Sequence, residues 1–232
     1  MSWRIENTWI DPESVPDNGN RLLVGNGYLG IRGTLEEAGK AQLAAVNLAG
    51  IYDRVGDGWR EPLNAPNPLY TRVCVGGELL TALDGSADRH TQALDFRHGI
   101  YSRDTNWRRV GLTVHGTHAA HMGQEHLILS AYTVTAEQDT QLDIIAGIDT
   151  DIWEIYGPHY LRFEEKIADT TLLCTGIVQN GKNSVSVGRR CCLDRPAEVR
   201  QEENRLIFRL RLKAGQQAEL RSVSAEIGRA HV

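Results

Sequence analysis

Cysteine, excess positive charge, long apolar runs and helical periodicity are all scarce or missing in this sequence. Four cysteines stand among 232 residues, at Cys74, Cys174 and the adjacent Cys191 and Cys192, with no C-x-x-C spacing. That spacing excludes a zinc ribbon or a thioredoxin-type motif and predicts buried free thiols in a reducing compartment. The net charge is −5, so neither nucleic acid nor an anionic membrane surface is an expected partner. No run approaches the ~18 apolar residues of a membrane span. The opening Met1-Ser2-Trp3-Arg4-Ile5-Glu6 has no hydrophobic leader, and a cytoplasmic protein is expected. A Gly-x-Ser-x-Gly elbow is absent, and no cysteine has a histidine at a recognisable protease spacing.

What is there is short-period alternation. At 41% hydrophobic and 24% charged, the chain can bury a substantial core. Residues 1–20 read as an irregular lead-in, with Trp3, Ile5 and Trp9 anchoring a first strand and both tryptophans packed in the core. Pro16-Asp17-Asn18-Gly19 reads as a turn and 21–24 as a short strand. The apolar run 41–52 is read as strand, and 53–68, dense in Gly, Pro, Asn and Asp, as a long loop that is functional or docked on a partner. From residue 69 onward strands follow at roughly 8–12-residue spacing. They are expected at 69–75 and 78–83 around Gly76-Gly77, at 93–97 and 100–105, 107–115, 117–122, 127–135 and 140–148. Others are expected at 160–166, 170–178, 184–193, 198–201, 205–212 and 217–225, with turns at Asn180-Gly181 and Lys213-Ala214-Gly215. Alternating polar and apolar faces suit antiparallel sheets packed face to face. The fold class expected is all-β: one large two-sheet antiparallel β-sandwich over residues 1–232.

The densest signal is Gly25-Asn26-Gly27-Tyr28-Leu29-Gly30-Ile31-Arg32-Gly33, followed by Thr34-Leu35-Glu36-Glu37. Four glycines in nine residues imply positive φ or close backbone approach at several points. Gly25-x-Gly27-x-x-Gly30 has dinucleotide-fingerprint spacing, but that motif must open a helix in a βαβ unit, and residues 28–33 read as a second strand. A tight strand–turn–strand is expected instead.

The same residues carry a family resemblance. Leu22 to Gly33, the pair Glu36-Glu37 and Asn47-Leu48-Ala49-Gly50-Ile51-Tyr52 resemble the N-terminal domain of glycoside hydrolase family 65. Gly147-Ile148-Asp149-Thr150-Asp151-Ile152-Trp153 with Gly157-Pro158-His159 resembles a second block of it, closer to the kojibiose and nigerose phosphorylase branch than to the maltose branch. Where the family usually has Glu-Ser/Thr-Leu before the glycines, this chain has Asn20-Arg21-Leu22. The resemblance implies a galactose-mutarotase-type β-sandwich. It also implies a downstream (α/α)6 barrel carrying the general-acid glutamate and the phosphate site, with inorganic phosphate as co-substrate and no cofactor. Nothing helical follows the last strand, so the chain looks like an N-terminal piece, silent by itself. Its expected work is to pack on that barrel, rim the pocket for an α-linked glucose disaccharide and support a homodimer. A free-standing carbohydrate-binding sandwich is the alternative.

Candidate chemistry within the chain is sparse. Inverting attack on a glycosidic bond needs an acid, and a phosphorylase replaces the hydrolytic base by phosphate. Glu36-Glu37, Asp149-x-Asp151 and Glu164-Glu165 are the carboxylate clusters. Neighbours on an extended strand point to opposite faces, so only Asp149 and Asp151 could share a pocket; Glu36 and Glu37 are read as structural, beside Arg32. His115 and His121 share a strand face that excludes His118, so no metal triad forms, and histidines on exposed strands are expected to titrate normally. Arg108-Arg109 and Arg189-Arg190 are read as solvated, split between faces. Sugar faces stack on aromatic rings, and Trp59, Trp153, Tyr156 and His159 sit in loops; they are the candidates for the rim. No catalytic residue and no metal ligand is assigned.

Overall fold

The computed structural model describes residues 2–8 and 11–230. Among them are eighteen strands. The first seven are β1 (Arg4–Asn7), β2 (Val24–Gly25), β3 (Leu29–Ile31), β4 (Val46–Asp53), β5 (Glu61–Ala65), β6 (Thr71–Val75) and β7 (Glu78–Leu79). Then come β8 (Arg89–Asp95), β9 (Ile100–Trp107), β10 (Leu112–Ala120), β11 (Leu127–Ala136) and β12 (Thr140–Gly147). The last six are β13 (Tyr160–Ala168), β14 (Thr171–Val178), β15 (Asn183–Leu193), β16 (Glu198–Glu202), β17 (Arg205–Leu212) and β18 (Gln217–Ala230). The α-helix among the described residues is α1 (Val15–Arg21).

Three antiparallel sheets result. The largest has nine strands in the order β1-β8-β9-β10-β11-β18-β15-β14-β13, the second runs β16-β17-β12-β6-β7, and the third is β2-β3-β4-β5. Period-two patterning decides the faces. In β10, Leu112, Val114, Gly116, His118 and Ala120 point inward and the residues between them outward; in β17, Leu206, Phe208, Leu210 and Leu212 do the same. These faces meet in one apolar core that includes Trp107, Tyr101, Ile128, Val73, Ile144 and Leu48. Burial of each such large side chain contributes about 1.5–3 kcal/mol. Strand β18 lies between β11 and β15, so the last of the described strands locks the two halves of the large sheet together.

The expected antiparallel sandwich is present, built from three sheets and not two, with six local corrections. Pro16-Asp17-Asn18-Gly19 lies inside α1 and not in a turn, because Pro16 fits a first helical turn; residues 21–24 end that helix, and only Val24–Gly25 pairs. The 41–52 run becomes strand from Val46, after a 3-10 turn at Lys40–Gln42. The 53–68 loop contains β5, whose Pro62 hides a strand from propensity reasoning. The segments 107–115 and 117–122 contribute to one strand, β10. Trp3 is 61% exposed rather than in the core, while Trp9 lies outside the described residues.

Two further expectations change. Arg189 is fully buried and donates to the carbonyls of Tyr70 (2.6 Å) and Gly147 (2.9 Å) and to Thr71 Oγ1 (2.8 Å), tying the large sheet to the second one; Arg190, on the other face, is exposed as read. Of the four free thiols, Cys174 and Cys191 are buried, Cys74 is half-buried and Cys192 is exposed.

Candidate functional site

The loop-borne aromatics gather at one edge of the fold, where β4 and β5 meet the segment before β13. Asn67 and Asp149 exchange backbone hydrogen bonds of 2.8 and 2.9 Å, which lays residues 149–159 alongside β5. Asn64 Nδ2 donates to the Trp153 carbonyl at 2.6 Å and Asn47 Nδ2 to Asn64 Oδ1 at 2.8 Å. Trp59, 61% exposed, and Tyr156, 53% exposed, meet edge-to-face with ring centroids 6.3 Å apart. Tyr52 stands nearby on β4 with the Arg60 guanidinium 5.1 Å over its ring. Trp153 is half-buried and lines a small cleft of about 110 Å³ with Asn47, Glu61, Asn64, Glu154 and His159. Two larger open grooves, about 660 and 690 Å³, flank β8 at Arg89, His90 and Thr91, and among the described residues no Trp or Tyr lines either.

His159 is not on the rim. Its side chain is 1% exposed, and both ring nitrogens face buried carboxylates: Nδ1 lies 3.0 Å from Asp53 Oδ2, and Nε2 contacts Glu61 Oε1. Glu61 also accepts the backbone N–H groups of Tyr156 (3.0 Å) and Ile155 (3.3 Å). Burial pulls the imidazolium toward neutrality, but the hydrogen bonds to Glu61 and Asp53 outweigh it and raise the His159 pKa. Burial pushes the Glu61 carboxyl up, and the bonds from His159 and the two amides more than reverse it, holding it below its usual range. The spacing Gly157-Pro158-His159 drew attention to this residue, but a partnership with positions 53 and 61 has no local signature.

The profile of the Glycosyl hydrolase family 65, N-terminal domain, matches residues 5–225. The chain belongs to this family. It is 48% identical over 167 residues to a nigerose phosphorylase of Lachnoclostridium phytofermentans, covering 71% of this chain and 22% of that protein. It is 29% identical over 225 residues to a 1,2-alpha-glucosylglycerol phosphorylase of Bacillus selenitireducens, covering 94% and 29%. A human-microbiome protein assigned to the kojibiose phosphorylases shares the fold with a TM-score of 0.82 at 16% identity, over 98% of this chain and 32% of that one. The chain therefore spans less than a third of the length of these relatives.

In this family 65 domain the glycine-rich segment packs a charged centre into the core. Glu36 and Glu37 lie in a turn, not a strand, and both reach Arg103 on β9: Arg103 Nε donates to Glu36 Oε2 and Nη2 to Glu37 Oε2, each at 2.8 Å. Their structural role is as read, but the partner is Arg103 and not Arg32, which bonds Asn20 Oδ1 at 2.7 Å and the Pro16 carbonyl. Burial disfavours the guanidinium charge, yet Glu37 and Glu36 outweigh it and raise the Arg103 pKa. Burial pushes the Glu37 carboxyl up; Arg103 opposes this and Glu36 adds to it. Gly116 makes room, since a Cβ there would meet Glu36 Oε1 at 2.1 Å. Beside this centre His118 is buried and stacks on Tyr101 at 4.3 Å, so the expectation of exposed, normally titrating histidines fails here; burial lowers its pKa to about 4. Asp149 is half-buried and burial raises its pKa, whereas Asp151 is exposed 3.5 Å from Lys40 Nζ. Glu164 and Glu165 lie on β13, the edge strand of the large sheet, both exposed. Among the described residues no group of His, Cys, Asp and Glu could hold a metal ion, and no helix is long and apolar enough to cross a membrane.

Proposed function

We propose that this domain is the accessory β-sandwich of an inverting α-glucoside phosphorylase, and that its Trp59–Tyr156 edge rims the sugar pocket. The observation that carries the reading is this exposed aromatic pair, held on two loops, β4–β5 and β12–β13, that are joined by the buried Asp53, Glu61 and His159. Large rings left in water at one edge suit the apolar faces of pyranoses. The parent protein would use inorganic phosphate to displace the aglycone from C1 of an α-linked glucose disaccharide. The C1–O bond breaks, a barrel glutamate protonates the departing oxygen, and β-glucose 1-phosphate is released. Packing against the barrel and dimerisation belong to the same proposal. An outward-facing apolar stripe on the large sheet, Leu129, Val223, Leu173 and Ile227, each 40% exposed or more, supports burial against another surface.

Phosphorolysis of nigerose, kojibiose, trehalose and maltose tests it, with the full-length protein beside the 232-residue chain. Activity is expected in the full-length protein alone, and Trp59→Ala in it should raise KM about tenfold, the loss of roughly 1.4 kcal/mol of stacking. Turnover by the short chain, or an unchanged KM, overturns the reading. Calorimetry addresses the free-standing binding module: saturable glucoside binding by the short chain would favour that alternative.

A further inference from the structure

We propose that His159 is the positioning residue of the aromatic rim: an imidazolium held between Asp53 and Glu61, it clamps the 153–159 segment onto β4 and β5 and fixes where Tyr156 and Trp59 point. What the rim is for rests on the sugar reading above; its ordering does not.

Three chain segments meet at this ring. Asp53 closes β4, Glu61 opens β5, and His159 stands immediately before β13. Both carboxylates and the ring are almost wholly withdrawn from water. A neutral imidazole has one N–H and one lone pair. Here each ring nitrogen faces a carboxylate oxygen, so a neutral ring would aim its lone pair at an anion and leave two buried negative charges without a cation. The doubly protonated ring satisfies both. The charged groups facing it are Asp53 from β4, Glu61 from β5 and Glu154 from its own segment, whose Oε1 accepts the His159 backbone N–H at 2.8 Å. The neutral Asn180 of the β14–β15 turn donates to the far oxygen of Asp53 at 2.7 Å.

The link to the rim runs through Glu61. The oxygen that contacts the His159 ring, Oε1, also accepts the Tyr156 amide, and Oε2 accepts that of Ile155. The Tyr156 ring in turn meets Trp59. Removing the positive charge turns Glu61 from a held acceptor into an uncompensated buried anion, which must reach for water and release both amides.

The raised pKa of His159 and the lowered one of Glu61 agree with this. A raised histidine pKa contributes order fully below pH 6.5, the ordinary value, and loses it as pH rises through the folded-state value. A lowered carboxylate pKa contributes above pH 4.5 and loses it as pH falls through its own folded-state value. The rim is therefore ordered below pH 6.5 and loosens as pH rises through the folded-state pKa of His159.

Hydrogen exchange of the Ile155 and Tyr156 amides, corrected for intrinsic rates and followed from pH 5 to 10, tests the clamp in the wild-type chain and in His159→Gln. Wild-type protection is expected to hold below pH 6.5 and to fall at least tenfold as pH rises through the folded-state pKa of His159. In His159→Gln it should be low and independent of pH. Protection that stays flat to pH 10 in the wild type, or that survives in His159→Gln, overturns the proposal. Should His159→Gln fail to fold, the wild-type series and Glu61→Gln supply the same readout. In the full-length protein, amides that loosen without any change in sugar KM would leave the clamp standing and sink the sugar rim.

Discussion

Arg103 shows how much of this domain's order rests on single buried charges. Its side chain is 0% exposed, and Glu36 and Glu37 supply its carboxylate partners. Glu37 also accepts the Ala82 backbone N–H at 3.1 Å, so it joins the glycine-rich segment to both β9 and the chain after β7. Removing Arg103 leaves Glu36 and Glu37 buried without the cation that both contact, which costs about 3–5 kcal/mol. Arg103→Ala should therefore lower Tm by roughly 10 °C in a chain of this size, read by calorimetry. Arg32→Ala removes a partly exposed guanidinium bonded to neutral acceptors and should cost about 1 kcal/mol. Equal losses in the two variants would contradict the partnership described here. Arg103 could not be identified from sequence, because it stands more than sixty residues from Glu36 and Glu37. The two adjacent acids converge because the chain turns there, whereas extended backbone would have sent them to opposite faces.

At the scale of elements, the glycine run illustrates both what was legible and what was not. The strand–turn–strand expected there forms, with β2 pairing β3 and Gly27 at a φ of 93° between them. Gly33 is needed for a different reason: a Cβ on it would stand 2.4 Å from the Leu22 carbonyl oxygen. Around Gly30 nothing lies within 4 Å of the corresponding position. Gly33→Ala should cost about 1–3 kcal/mol through forced backbone shifts, while Gly30→Ala should stay within ~0.5 kcal/mol of wild type. Urea denaturation of the two variants checks the contrast, and a Gly30→Ala loss as large as that of Gly33→Ala would mean the close approach is misplaced. Of the strands after residue 126, β12, β14, β15 and β17 were legible because each alternates with one buried face, whereas β13 and β16 are largely exposed. Seven-residue α1 and the Pro62-bearing β5 were not legible, since a short helix carries too little periodicity and proline reads as a breaker. The candidate rim was legible as residue types in loops. That His159 would sit beneath Trp59 and Tyr156 was not, because sheet closure brings Asp53 and Glu61 to it from about a hundred residues away.

The whole molecule carries ionisable groups in its interior that pull its stability in opposite directions with pH. His90 and His118 are both buried, and burial lowers the pKa of each from 6.5 to about 4. The unfolded chain takes up those protons first, so folding stability falls as pH drops from 6.5 toward 4, by up to about 1.4 kcal/mol per pH unit for each histidine. Glu226 on β18 acts the other way. It is 0% exposed, neither carboxyl oxygen has a hydrogen-bond partner, and burial raises its pKa well above 4.5. The unfolded chain loses that proton first, so stability falls as pH rises above 4.5. Glu226→Gln removes the ionisation and should raise Tm at pH 7 while leaving it unchanged at pH 4. His118→Phe keeps a ring against Tyr101, removes two buried ring nitrogens without partners and should make the acid limb shallower. Calorimetric scans of the three chains from pH 4 to 8 separate the contributions. A Glu226→Gln chain no more stable than wild type at pH 7 would mean that this carboxyl has found a partner or water inside the sheets.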